Sequence, residues 1–446
     1  MAGEWTVKTI ADCASAEPYS TQIGPFGKAL MADEYTESGV PVLRGVNVNR
    51  GRFHDDDFVF IDDKTADRLS KFESYPGDVL LVHKGTLGQI GLMPSKRKYS
   101  RYIMGNSMMR VRCDPTKLLP EYLYYWLSSA DGQHYLFSRV SQVGVPQIQT
   151  PLTTLRQAAL PVPPIGAQRA IVHILGTLDD KIELNGRMNE TLEAIARALF
   201  KSWFVDFDPV RARAEGRDPG LPKQIAELFP NSFEDLDLGE IPKGWQVAPL
   251  PEVIDVNPSR ALRKGVEAPY LDMANMPTRV HSPDDVVARR FGSGMRFMNG
   301  DTLVARITPC LENGKTALVD FLDAGQIGWG STEYIVLRPK PPLPHEFAYC
   351  LARSTEFRDF AVQSMTGSSG RQRVPAESLS HFRVVAAPDV IAELFGRLVK
   401  PLFARAGEAT KEGRTLAALR DALLPKLLSG ELRVVDAAWV VEAHAE

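Results

Sequence analysis

Two kinds of residue pattern in this chain could carry chemistry. PGDVLLVHK (76–84) sets Asp78 and Lys84 at the two ends of an apolar run, and a metal-dependent nuclease uses clustered carboxylates with a lysine. No Glu-x-Lys accompanies them, and the same Gly-Asp recurs at 300–301 as a plain strand start, which points to a structural turn. An adenine methyltransferase needs a glycine-rich loop for S-adenosylmethionine and an Asn/Asp-Pro-Pro-aromatic turn to grip a base taken out of the stack. NPSR at 257 and DPVR at 208 lack the second proline and the aromatic. No Walker loop, HExxH or G-x-S-x-G is present. The four cysteines (Cys13, Cys113, Cys310, Cys350) are far apart with no C-x-x-C, so reduced thiols are expected rather than zinc or disulfides. The eight histidines are scattered, and His83 and His134 read as surface or hydrogen-bonded core residues. No catalytic residue and no metal ligand is assigned.

What remains is binding. The net charge of -3 rules out a chain coated in basic residues, but not a local basic face. The window 84–117 holds Lys84, Lys96, Arg97, Lys98, Arg101, Arg110, Arg112 and Lys117 against the single acid Asp114. Charge is sorted within this half, which predicts one basic and one acidic face. With 44% hydrophobic residues, no run of 18 apolar residues and no signal-peptide pattern at MAGEWTVKTI, a cytoplasmic protein without a membrane partner is expected.

These residues must be positioned by a fold, and the chain writes its fold twice. EWTVKTI from 4 is answered by GWQVAPL from 244, PVLRGVNV (41–48) by PYLDMANM (269–276), and GDVLLVHKG (77–85) by GDTLVARIT (300–308). NSMMRVRCDPTKLLPEYLYYWLSS (106–129) is answered by GSTEYIVLRPKPPLPHEFAYCLARS (330–354). Both copies close on a proline-rich stop, LPVPPIGAQ (160–168) and VVAAPDVIAE (384–393), followed by a long helical pattern. Runs such as DVLLV and TEYIVLR read as strands, and EYLYYWLSS and EFAYCLARS as helices. The expectation is an α+β protein: two similar globular domains joined by two long antiparallel helices forming a coiled coil, a pseudo-two-fold internal repeat.

The first helix is predicted from about Ala167 to Phe204, with Ile171, Leu175, Leu178, Ile182, Leu192, Ala196 and Leu199 as its apolar seam. Asn185 and Asn189 take the missing positions of that series. The second helix is predicted from about Ile391 to Leu428, with Leu394, Leu398, Leu402, Leu416, Leu423 and Leu427 on a similar stripe, kinked or restarted at Pro401 and again near Pro425. Each stripe needs a partner, and the other helix is the simplest one. A buried asparagine is tolerated best in one register, so Asn185 and Asn189 are expected to face the second helix or a docked partner and to fix its register. The Pro-, Gly- and charge-rich stretch 206–240 reads as a returning linker.

PPIGAQRAIVHILGTLDDKIELNGRMNETLEAIARALFKSWFVDFDPV (163–210) and LRDALLPKLLSGELRV (419–434) resemble the two conserved regions of type I restriction-modification specificity subunits. Their alternation with two variable domains resembles that family across essentially the whole chain. The resemblance implies target recognition domains at 1–162 and 241–388, conserved helices at 163–205 and 389–430, a linker at 206–240 and a tail at 431–446. It implies a non-catalytic subunit that binds double-stranded DNA, each domain reading half of a split, asymmetric sequence with the helices as spacer. Two methyltransferase subunits would dock on it and bring S-adenosylmethionine. Two ATP- and Mg2+-dependent translocating nuclease subunits can then join. No cofactor is expected on this chain itself. The residues expected to meet DNA, chosen as phosphate and base-edge partners, are Lys84, Lys96, Arg97, Lys98, Arg101, Asn106, Arg139, Gln142 and Gln147 in the first domain. In the second they are Arg306, Asn313, Lys315, Ser331, Arg371, Gln372 and Arg373. The loops SQVGVPQIQ and TGSSGRQRV stand at equivalent places before the last strand of each domain.

Two other readings stay open from the residues alone. One is a single-chain nuclease or methyltransferase with unrecognised motifs, which would show a tight S-adenosylmethionine or divalent-metal site by calorimetry. The other is an assembly scaffold, whose DNA binding would ignore both DNA sequence and substitution of Lys84 or Arg371.

Overall fold

The computed structural model describes residues 5–51, 53–141, 144–236, 239–368 and 370–434. Two compact units form, one from the described residues up to Lys181 together with those from Leu416 onward, the other from Ile182–Thr415. No helix among the described residues is long and apolar enough to cross a membrane.

In the first unit a four-stranded sheet runs in the order Thr21–Ile23, Met108–Val111, Val79–Val82, Ile90–Leu92, antiparallel throughout. The second unit repeats it as Ile254–Val256, Tyr334–Pro339, Thr302–Ala305, Thr316–Leu318. VLLV and TLVA are buried at every position, which is why both read as unbroken rather than alternating strands. Beside each lies a second sheet containing one parallel pair, Val40–Leu43 with Ile103–Met104 and Glu267–Leu271 with Gly328–Gly330. A two-stranded ladder ties the start of each globular part to its end, Thr6–Thr9 with Ala159–Val162 and Gln246–Pro249 with Arg383–Ala386. After the central sheet come two short helices hinged on a serine cap. Ser129 Oγ accepts from Gly132 N at 3.3 Å, and Ser354 Oγ from Phe357 N at 3.2 Å.

The repeated Gly-Asp is a structural turn. Gly77 and Gly300 have φ of +84° and +88°, values that favour glycine. The next residue caps the turn, because Asp78 accepts from Tyr75 N and Asp301 from Met298 N, both at 2.8 Å. Each carboxylate is fully buried and paired with an arginine, Arg112 just after the neighbouring strand at 2.8 Å and Arg338 within it at 2.9 Å. Buried charges persist only when so paired. Arg110 beside it is also buried, and Arg101, Arg112 and Lys117 pair with Glu73, Glu17 and Asp114. Four of the eight cations in the basic window are therefore taken up by burial or by a neighbouring acid, which leaves Lys84, Lys96, Arg97 and Lys98 for a basic face.

The long helices are Ile165–Phe204 and Asp389–Ser429. In the first unit Ile171, Leu175, Leu178, Leu416, Leu423 and Leu427 are buried. In the second the buried positions include Asn185, Asn189, Glu193, Ala196, Phe200 and Trp203 on one helix, with Leu394, Phe395, Val399 and Phe403 on the other. Ile182, Leu192 and Leu199 are only half-buried, because the steps of four and three from Asn189 land on Glu193, Ala196 and Phe200 instead. Leu398 is 39% exposed, displaced from the seam by Phe395 and Val399. The second helix passes Pro401 and Pro425 without a restart. Pro401 sits on the exposed face with Arg397, whose carbonyl loses its i+4 donor, while the opposite face stays packed.

The stretch expected to be a linker is folded. It contains helices Asp208–Ala214 and Lys223–Ala226 and a strand, Phe233–Leu236. Phe207, Val210 and Phe229 join Trp203, Phe204, Trp245, Phe347 and Phe395 in the core of the second unit. Trp203 meets Phe229 edge-on at 5.0 Å, and each ring so buried contributes roughly 1.5–3 kcal/mol. Its apolar residues are few but aromatic, and they outweigh the Pro/Gly character that suggested a tether.

Candidate nucleic-acid interface

In the first unit the strand Val79–Val82 runs out into Lys84, and the hairpin Val140–Ser141 with Gln147–Ile148 folds back onto it. Ile148 N donates to His83 O at 2.9 Å, Gly85 N donates to Pro146 O at 2.9 Å, and Lys84 bridges Gln147. His83 N donates to Ser107 O at 2.9 Å, which brings Asn106 to the same rim. Lys84, Asn106, Arg139 and Gln147 are thus gathered and exposed, over a His83 ring whose burial pushes its pKa below the ordinary 6.5. Arg139 lies over the Tyr135 ring at 3.9 Å, with Nη1 donating to Tyr135 O and Ser138 Oγ at 3.0 Å. Gln142 lies outside the described residues.

Lys96, Arg97, Lys98 and Arg101 form a second group, between the strands Ile90–Leu92 and Ile103–Met104. Two of them lie against a cluster of Phe58, Phe60, Tyr99 and Tyr102 rings, Arg97 at 5.8 Å from Tyr102 and Lys98 at 5.4 Å from Tyr99. Lys98 N and Tyr102 Oη both donate to Asp55, at 2.6 Å, and burial with that carboxylate pushes the phenol up to about 12. Lys96 is exposed, whereas Arg101 is occupied by Glu73 and Asp67.

The second unit gathers Arg306, Ser331, Arg371, Gln372 and Arg373. Thr308 N donates to Gln372 O at 3.0 Å, Val374 N donates to Arg306 O at 2.9 Å, and Arg373 bridges both Ile307 and Thr366. Glu333, which sequence reasoning missed, accepts from Arg373 Nε at 2.8 and 3.0 Å and from Arg306 Nε at 3.3 Å. Ser331 Oγ accepts from Glu333 N at 3.1 Å. Arg371 is exposed. Asn313 is exposed on the turn after Pro309, and Lys315 Nζ donates to the carbonyls of Met273 and Ala274, which gives that cation a structural partner. Among the described residues no group of three or more His, Cys, Asp or Glu is placed to hold a metal ion.

The profile of the type I restriction modification DNA specificity domain matches residues 4–194. The type I restriction enzyme HindI specificity subunit of Haemophilus influenzae is 24% identical, over 82% of this chain and 90% of its own. The MjaIX specificity subunit of Methanocaldococcus jannaschii is 26% identical, over 81% of this chain and 78% of its own. Residues 4–194 thus match the specificity-domain family, and most of the chain resembles type I restriction enzyme specificity subunits. The crystal structure of a type I restriction-modification S subunit from M. genitalium shares the fold, with a TM-score of 0.52 at 15% identity over 95% of this chain and 96% of that one.

Each globular part of this chain is fastened to the first long helix by a tyrosine. Tyr125 Oη donates to Asp179 at 2.8 Å, and Asp179 pairs with Arg420 of the second helix at 2.7 Å. In the other unit Tyr349 Oη donates to Glu193 at 2.7 Å, and Glu193 meets His281 Nδ1 at 2.6 Å. His281 Nε2 lies 3.0 Å from Asp320, and the ring is fully buried. Burial opposes the imidazolium, but the hydrogen bonds to Asp320 and Glu193 overcome it and hold the His281 pKa up at about 9. Along the same seam Asn185 Nδ2 donates to Glu412 and Asn189 Nδ2 to Thr410 Oγ1, both at 2.9 Å. The partner number falls as the helix number rises, so the two helices run antiparallel there. A glutamate at a seam position reads as solvent-facing in sequence; only its step of four from Asn189 marks Glu193.

Proposed function

We propose that this chain is the sequence-specific DNA-recognition subunit of a type I restriction-modification complex. Each globular unit reads one half of a bipartite, asymmetric target, and the long helices set the spacing and dock methyltransferase subunits. The observation that carries this is a repeated fold whose corresponding rims bear different side chains, His83, Lys84 and Gln147 in one unit and Arg306, Gln372 and Arg373 in the other. Two alike scaffolds with unlike rims give a non-palindromic site, and a stiff connection gives the second domain a high effective concentration once the first has bound. The seam residues from Ile171 to Leu199, with Leu416 and Leu423, would hold the helices together and offer the docking face. Lys84, Lys96 and Arg371 suit phosphates, and Asn106, Gln147 and Arg373 suit base edges.

The chain supplies no catalytic group of its own in this reading. S-adenosylmethionine belongs to the two methyltransferase subunits, and ATP and Mg2+ to two nuclease subunits where these join. All act on double-stranded DNA in the cytoplasm. The test is reconstitution: this chain with its methyltransferase partner should methylate adenine in one split sequence, and neither should do so alone. Specific methylation by the chain without a partner would sink the proposal.

A further inference from the structure

Strand register makes the two rims comparable position by position. In the first unit Val82 lies opposite Met108, and the next backbone bond outward is His83 N to Ser107 O at 2.9 Å. In the second Ala305 lies opposite Tyr334, and the next bond is Arg306 N to Glu333 O at 3.0 Å. The third member comes from the returning loop, where Lys84 bridges Gln147 and Ile307 bridges Arg373. His83, Ser107 and Gln147 in one unit therefore occupy the backbone positions of Arg306, Glu333 and Arg373 in the other.

The chemistry at these positions differs in kind. The first unit's set holds a buried, neutral imidazole with a hydroxyl and an amide. The second unit's set is two guanidinium groups sharing one carboxylate, and it keeps a net positive charge. Glu333 takes both arginines by Nε, so it fixes their planes while the terminal nitrogens are not what it binds. The side chains stay partly open, Arg306 at 30%, Arg373 at 42% and Glu333 at 21% exposure. A solvated arginine on a phosphate needs no such fixing, since it meets a charge from many angles. A planar fork held in place suits the paired acceptors O6 and N7 on the major-groove edge of guanine, whereas a glutamine amide suits adenine.

We infer that Glu333 is a specificity-determining positioning residue, which holds Arg306 and Arg373 as a rigid fork for guanine in the half-site read by the second unit. This rests on the DNA-recognition reading above and adds the base class. Arg373 is the more firmly held of the two and touches the base; Glu333 acts through it. The neutral set in the first unit makes the other half-site the internal reference.

The experiment uses the full chain assembled with its methylating subunits, and selects bound duplexes from a randomised DNA pool before and after substitution. The wild type should select a guanine in one half-site whose replacement by 7-deazaguanine weakens binding roughly 5- to 150-fold. Arg373→Gln should abolish that preference and leave the selected bases of the other half-site as they were. Glu333→Gln should relax the same position with the thermal melting point unchanged, and Glu333→Asp should restore part of the preference. A uniform loss of affinity on every sequence, with a shallower salt dependence, would make Arg373 a phosphate contact and overturn the inference. So would an unchanged base preference in Arg373→Gln. If the wild-type assembly selects no sequence at all, the DNA-recognition reading itself falls, and this inference with it.

Discussion

The two units fasten their globular parts to the long helices by the same device built from different residues. Tyr125, Asp179 and Arg420 form one fastening, in which the aspartate and arginine side chains keep 28% and 29% exposure. Tyr349, Glu193, His281 and Asp320 form the other, in which glutamate and histidine have 1% and 0%. The first joins a carboxylate to a guanidinium where water still reaches both. The second depends on a proton on His281. Burial thus separates an ion pair that contributes little from one whose disruption strands a charge.

The largest break should come from Glu193→Ala, which leaves His281 and the Tyr349 hydroxyl buried without their shared acceptor. It should cost about 3–5 kcal/mol in chemical denaturation, against about 1–2 kcal/mol for Asp179→Ala, where water can replace the carboxylate. Equal losses would erase the contrast.

A somewhat smaller effect follows from pH. With a folded pKa of about 9 against an ordinary 6.5, His281 holds its proton more tightly in the folded state. Its contribution is complete below about pH 6.5 and is lost as pH rises towards about 9, on the order of 3 kcal/mol. His281→Gln should flatten that slope; a wild type whose stability holds or rises over the window would show that the cluster is not charged.

Smaller again is the joint replacement of Asn185 and Asn189 by leucine. Helical circular dichroism should persist and stability should move by about 1 kcal/mol or less, while the register loosens. Native gel and target-spacing assays should then show mixed assemblies, and a single unchanged assembly with unchanged spacing would count against a register role. The smallest effect is expected from Lys84→Ala, which should weaken binding alike on all sequences and lower the salt slope by about one.

The doubled fold could be read because both copies repeat the same punctuation: the Gly77-Asp78 and Gly300-Asp301 turns, the buried four-residue strands and the serine-capped helix pairs. Asn185 and Asn189 stand out because an amide on an apolar stripe breaks its period. Glu193 does not, since the flanking Leu192 satisfies the eye while the burial falls one residue later. The rims were legible as residue types only. Whether Arg101 and Lys315 face solvent or a carboxylate and carbonyls depends on Glu73, Asp67 and Met273, which lie 28, 34 and 42 positions away. Glu333 was missed for the same reason, since an acid among cations looks unfit for DNA until its two arginines are seen on it.

The amide seam also limits how the proposed spacer could change. Asn185 donates to Glu412 and Asn189 to Thr410, so the pairing is set by hydrogen-bond identity rather than by volume. Apolar residues around them can drift without moving it. A slip that restores helix contacts advances by whole turns, about 5.4 Å each, or roughly one and a half base-pair steps. A spacer built this way is graduated in steps, and its neighbouring settings do not coincide with neighbouring base pairs.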